Sequence, residues 1–161
     1  PTPGQEALNG WCTVDATRLT KVPKTTLDEI DTYFHLDTIF SGWACETFDD
    51  SEHQHRYTLY EEGHLVRQIG YFSNGALDHD FHLEDGKSIG RDRMWKADGK
   101  PYIDHYYSAP GVMHGLQRTW HSNDTLAMKA VYKHGELVYE LRFDKNGAMN
   151  SSKGQLPASC R

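Results

Sequence analysis

From Tyr57 onward, apolar and polar residues alternate in short runs separated by turn residues. Alternation at period two is the mark of strands with one buried face. The breaks fall at Gly63, Gly75, Gly86, Gly99, Gly111, Asp124, Gly135 and Gly147. Short strands at such near-even spacing predict an antiparallel β-meander rather than βαβ units, and no window keeps a helical period. Alternation places Leu65, Ile69, Tyr71, Leu77, His79, Phe81, Leu83, Ile89 and Trp95 on one face, continuing through Ile103, Tyr107, Leu116, Trp120, Leu126, Met128, Tyr132, Leu137, Leu141 and Phe143. The other face takes Gln68, Asp78, Asp80, His82, Glu84, Asp92, Lys96, Tyr102, Asp104, Tyr106, Gln117, Thr119, His121 and Lys129. The first reads as the core side and the second as the solvated side of a two-faced sheet.

Within this pattern one unit recurs. Tyr71-Phe72-Ser73-Asn74-Gly75-Ala76-Leu77 runs from an aromatic through a tight turn to an aliphatic. The same shape returns at Trp95 to Pro101, Trp120 to Leu126 and Phe143 to Met149. A three-residue hairpin loop is a type I turn followed by a left-handed residue, usually Gly, and Ser73-Asn74-Gly75 fits. This register predicts Tyr71 opposite Leu77, Trp95 opposite Pro101, Trp120 opposite Leu126 and Phe143 opposite Met149. Asp124 stands where the other copies have Gly, and Asp tolerates positive φ better than most residues.

Before the array the signals are weaker. Residues 1–10 are Pro/Gly/polar and read as a tail. Trp11-Cys12-Thr13-Val14 predicts a first strand, Thr25 to Ile30 one helical turn, and Tyr33 to Leu36 a strand. Trp43 to Phe48 predicts another, followed by the polar loop Asp49 to His55. The whole reads as a single domain: an N-terminal segment (1–37), a hairpin array (38–150) and a C-terminal tail (151–161).

Composition narrows the function classes. The net charge of −6 and pI near 5.9 leave no electrostatic footprint for nucleic acid. Aromatics at 12% exclude a disordered composition, and no apolar run reaches the ~18 residues of a membrane span. Three cysteines, Cys12, Cys45 and Cys160, contain no CxxC pair, which argues against a zinc site. An odd number leaves one thiol over if a disulfide forms, and the pairing stays open. The chain begins at Pro1, as it would after removal of a signal peptide or after trimming.

The four copies resemble the variant form of the MORN repeat. That pattern is an aromatic, an Asn/Asp-Gly turn, a spaced aliphatic, and a Gly before the next aromatic. Gly90 before Trp95 and Gly115 before Trp120 follow it, and Phe40-Ser41-Gly42 resembles the entry that often precedes such arrays. The resemblance covers about Ile39 to Met149. Asp124 and Ala109-Pro110-Gly111 depart from it. It implies an elongated, curved antiparallel sheet of stacked hairpins, and bacterial proteins of this type are often antitoxin- or immunity-like.

Candidate chemistry is sparse. Asp78-His79-Asp80-Phe81-His82 sets Asp78, Asp80 and His82 on one strand face, a row suited to a divalent ion but more commonly a solvated face with cationic neighbours. Cys45 has no identifiable base, and no G-x-S-x-G, P-loop or H-E-x-x-H motif is present. The expected function is non-catalytic, without cofactor or metal: binding a protein partner, a secreted toxin or effector, to neutralise it. The alternative is an envelope- or membrane-associated scaffold. The residues expected to meet the partner are Asp78, Asp80, His82, Glu84, Tyr102, Asp104 and Tyr106 on the solvated face, with Asp49, Asp50 and Glu52 in the polar loop. The expected location is the periplasm or cell envelope, with the cytoplasm as the alternative.

Overall fold

A computed structural model describes residues 12–22, 32–36, 38–48 and 53–155. The chain opens with β1 (Cys12–Asp15) and a single 3-10 turn at Ala16–Arg18, where the Asp15 carboxylate accepts the Thr17 N–H at 2.8 Å. Next come β2 (Thr20–Val22), β3 (Thr32–His35) and β4 (Thr38–Ile39), which pair as a small separate sheet. The long run follows: β5 (Gly42–Thr47), β6 (His53–Glu61), β7 (His64–Phe72), β8 (Leu77–Glu84), β9 (Lys87–Ser88), β10 (Gly90–Trp95) and β11 (Pro101–Ala109). It ends with β12 (Val112–Met113), β13 (Gly115–Trp120), β14 (Leu126–Lys133), β15 (Glu136–Phe143) and β16 (Met149–Gly154). The main sheet is ordered β1-β5-β6-β7-β8-β10-β11-β13-β14-β15-β16, with β9 beside β8 and β12 beside β11. All its pairings are antiparallel except β1 with β5. The protein is therefore an open all-β meander, as the alternation predicts. The helical turn expected at Thr25 to Ile30 lies outside the described residues. Residues 151–154, expected to begin a tail, instead pair with β15.

Two kinds of turn alternate along the chain. At the repeated aromatics the predicted three-residue loop forms: Gly75 N–H donates to the Phe72 carbonyl, and Phe72 N–H to the Ala76 carbonyl, each at 2.9 Å. Gly75 has φ 81° and Asp124 φ 70°, and all four predicted aromatic–aliphatic pairs are in register. At the opposite edge, Glu62-Gly63, Asp85-Gly86 and His134-Gly135 are two-residue turns with both residues at positive φ, the type I′ geometry that matches strand twist.

One feature overturns the predicted faces. Gly70 pairs with His79, yet Tyr71 pairs with Leu77, so Asp78 is an extra residue. Tyr102, Ala127 and Asn150 are extra in the same way after Pro101, Leu126 and Met149. Such a bulge reverses the in/out parity of the rest of its own strand. His79 and Phe81 therefore leave the Tyr71 face, and Asp80 takes their place. The register sets Tyr57, Ile69, Asp80, Arg93, Asp104, Arg118, Lys129 and Leu141 in one transverse row. The continuous apolar stripe expected from alternation does not form.

The apolar core gathers at the β5–β7 end. On the Tyr71 face, Tyr57, Ile69 and Tyr71 are buried with Trp43, Cys45 and Leu77 against them. Burial pushes the Tyr71 hydroxyl up to about 12, helped by nearby Tyr57 and Asp80 and opposed by Arg67. On the other face, Val14, Ala16, Leu19 and Leu65 pack on Phe40, Ala44 and Tyr60. A disulfide joins Cys12 to Cys45 across the β1–β5 pair, with Cα atoms 5.9 Å apart. Cys160 lies outside the described residues.

Neighbouring hairpins also lean on one another at both edges. Gly63 N–H donates to the Phe40 carbonyl, Gly111 to Ser88 and Gly135 to Met113, at 2.7 to 2.8 Å. On the aromatic-turn edge, the Asn74 amide donates to the Ala97 carbonyl at 2.7 Å and the Asn123 amide to Lys145 at 2.6 Å.

Candidate protein-binding surface

The bulges decide what the charged row looks like from outside. Asp80 is only 1% exposed. Arg67 grips it through two donors, Nε at 2.9 Å and Nη2 at 3.0 Å, and Arg93 Nη2 reaches it at 3.4 Å. Asp104, also buried, takes Nε and Nη2 of Arg91 at 2.6 and 2.9 Å, and Nη2 of Arg118. A carboxylate withdrawn from water needs such partners, and a two-donor guanidinium is the strongest common one. Burial alone would raise the Asp104 carboxyl; the hydrogen bonds from Arg91 and Arg118 outweigh it and hold the group below the usual range. Asp104 in turn raises Arg91.

The predicted acidic face is thus corrected. Asp80 and Asp104 form the floor of the row, and the guanidiniums lie above them. Arg91 is 54% exposed in its side chain and Arg118 38%, against 12% for Asp104. With Lys129 continuing the row, the cations Arg67, Arg91, Arg93, Arg118 and Lys129 outnumber the carboxylates of Asp80 and Asp104 among the described residues of the row. Arg93 stacks on the Trp95 ring at 4.9 Å and Arg118 on Trp120 at 5.3 Å. Both indoles are half-buried, so they flank the row rather than close a core. A cavity of about 290 Å³ lies over Asp104, walled by Arg91, Arg93, Trp95, Arg118 and Trp120.

The remaining expected contact residues scatter. Asp78, at its bulge, is buried and bonded to His79 Nδ1 at 2.8 Å. His82 is half-buried, flanking the row opposite Arg67. Glu84 is exposed at the Asp85-Gly86 turn. Tyr102 and Tyr106 are exposed, at 41% and 43%. Tyr106 stands on the row's own face opposite Arg91. The buried Gln117 side chain holds the Tyr106 backbone at both its N–H and its carbonyl, at 2.8 and 2.9 Å. Val14, Ala16 and Leu19 of the N-terminal segment pack on Phe40, Ala44 and Tyr60 at the β5–β6 end. Asp49, Asp50 and Glu52 lie outside the described residues.

The arginines carry this surface, where the sequence pattern gave the acidic row only unnamed cationic neighbours. Two signals pointed to their larger role. Arg-x-Trp occurs twice, at Arg93-Trp95 and Arg118-Trp120, and Arg67/Asp80 and Arg91/Asp104 share a separation of 13 residues. Among the described residues, no group of three or more His, Cys, Asp or Glu side chains converges as a metal site. No helix among them is long and apolar enough to cross a membrane. No family model matches the chain, and no curated protein or solved structure is similar enough to match it.

Proposed function

We propose that the protein is a non-catalytic protein-binding module of the immunity or antitoxin kind, which neutralises a toxic effector by direct contact. The observation that supports this most is the arginine–indole surface around Arg91, Arg93, Trp95, Arg118 and Trp120, which carries exposed guanidiniums. Arg, Trp and Tyr dominate the energetics of protein interfaces, and guanidiniums anchored by buried carboxylates lose little freedom when a partner docks. Steric occlusion of an effector requires no chemistry from this chain. The resemblance of the hairpin units to variant MORN repeats supplies the immunity part of the reading. The Cys12–Cys45 disulfide suits an oxidising compartment, in keeping with a periplasmic or envelope location.

The test is to express each protein encoded beside this one in a susceptible host, with and without it. The expected result is rescued growth with one of them, together with a stable complex on size-exclusion chromatography. Neither rescue nor complex with any neighbour would overturn the reading.

A further inference from the structure

We infer that the partner engages this protein through an acidic segment, whose Asp or Glu side chains enter the cavity between Trp95 and Trp120 and pair with Arg91 and Arg118. This rests on the binding reading above and adds the chemistry of the partner. The chain as a whole is acidic, at −6, so an acidic partner would be turned away by most of its surface. The cavity is locally the reverse: among the described residues Arg91, Arg93 and Arg118 line it around the single carboxylate of Asp104, which lies beneath. A docking group therefore meets guanidinium donors first. Arg91 gives Nε and Nη2 to Asp104, and a guanidinium carries five N–H donors in all, so its Nη1 edge is left for a ligand. The indoles under Arg93 and Arg118 fix those guanidiniums in place and add apolar walls that shield the new ion pairs from water.

The same charge pattern selects among polyanions. A nucleic acid or an anionic membrane presents an extended field that would also meet the protein's overall negative charge. A short acidic peptide stretch meets only the local row. Like charges elsewhere then act as a filter, so that acidic proteins lacking a protruding segment of the right shape are repelled.

The experiment uses the full chain, with Trp fluorescence as the readout and decaglutamate as the probe. Binding is expected, weakening as salt is raised because the guanidiniums are half-exposed. Arg91→Gln and Lys129→Gln should each weaken it about three- to tenfold, whereas Lys145→Gln, which removes the same charge at a distant turn, should not. Asp104 keeps Arg118 in the first variant and Lys129 is only half-buried at the end of the row, so both should fold, as circular dichroism melts would verify. Equal or tighter binding of decalysine, or three variants that behave alike, would overturn the inference. So would tighter binding of anionic vesicles or of a single-stranded oligonucleotide with the same variant dependence. A cognate toxin whose affinity is unmoved by Arg91→Gln would remove this inference and leave the binding reading standing. Absence of any cognate protein would instead remove the binding reading, whatever decaglutamate does.

Discussion

Asp124 sits at φ 70°, where the other three long turns have glycine, and its carboxylate takes the ammonium groups of Lys96 and Lys100. The hydrogen bonds from Lys100 and then Lys96 hold that carboxyl below its ordinary range, so local bonding compensates a backbone position that disfavours a side chain. Gly75 has no such compensation at φ 81°. Gly75→Val should lower stability by about 1–3 kcal/mol, read as a drop in urea midpoint; an unchanged midpoint would show that the turn tolerates a side chain. Asp104 offers a titration test. Asp104→Asn leaves Arg91 and Arg118 with a weaker acceptor and should cost about 1–3 kcal/mol at neutral pH. The folded carboxyl lies below the ordinary value of 3.8, so its contribution is full above that value and is lost as pH falls through the lower, folded value. The stability gap between wild type and variant should therefore be constant from pH 7 to about 4 and close only below. A gap that closes near pH 6 would mean that another group is responsible.

At the scale of elements, turns were legible and faces were not. Ser73-Asn74-Gly75 and its copies have a conformational signature, because only a few residues accept positive φ. The bulged residues Asp78, Tyr102, Ala127 and Asn150 share no type, size or polarity, so nothing local announces them. Each is placed by the pairing of two strands. Missing one reverses the faces of the strand that follows its turn while leaving Trp95, Trp120 and Phe143 on the expected side, which is why Asp80 and Asp104 read as solvated acids and emerged buried beneath arginines. The parallel β1–β5 pair was equally hidden, since it joins segments far apart in the chain. The two-residue turns carry a correctable weakness. Glu62 at φ 49° and His134 at φ 51° occupy positions that favour Asn. Glu62→Asn and His134→Asn should each raise stability by about 0.5–1 kcal/mol, measured by thermal melts, with no change in decaglutamate binding. A fall in melting temperature would mean that the native side chains contribute more than the turn preference.

Across the whole molecule most of the buried aromatics lie at one end, around Tyr57, Tyr71 and Phe40, with Tyr139 buried near the other, while the half-exposed charged row occupies the middle. The disulfide fastens that core end by closing a 33-residue separation. Reducing it, or replacing both Cys12 and Cys45 with Ser, should lower stability by about 3–4 kcal/mol on the loop-closure estimate. Urea unfolding with and without reductant would measure this, and identical curves would show that the bond does not constrain the unfolded chain. The edge-to-edge hydrogen bonds between successive hairpins have a mechanical consequence. Because each hairpin is tied only to its neighbours, tension applied at the C-terminal strand loads one seam at a time, as in a zipper, rather than shearing many together. The repeat aromatics Tyr71, Trp95, Trp120 and Phe143 stand 24, 25 and 23 residues apart. Each peeled unit should release about 8 nm of slack chain, so that single-molecule stretching with optical tweezers would show a staircase of near-equal steps at low force, ending at the cross-linked aromatic end, which yields last.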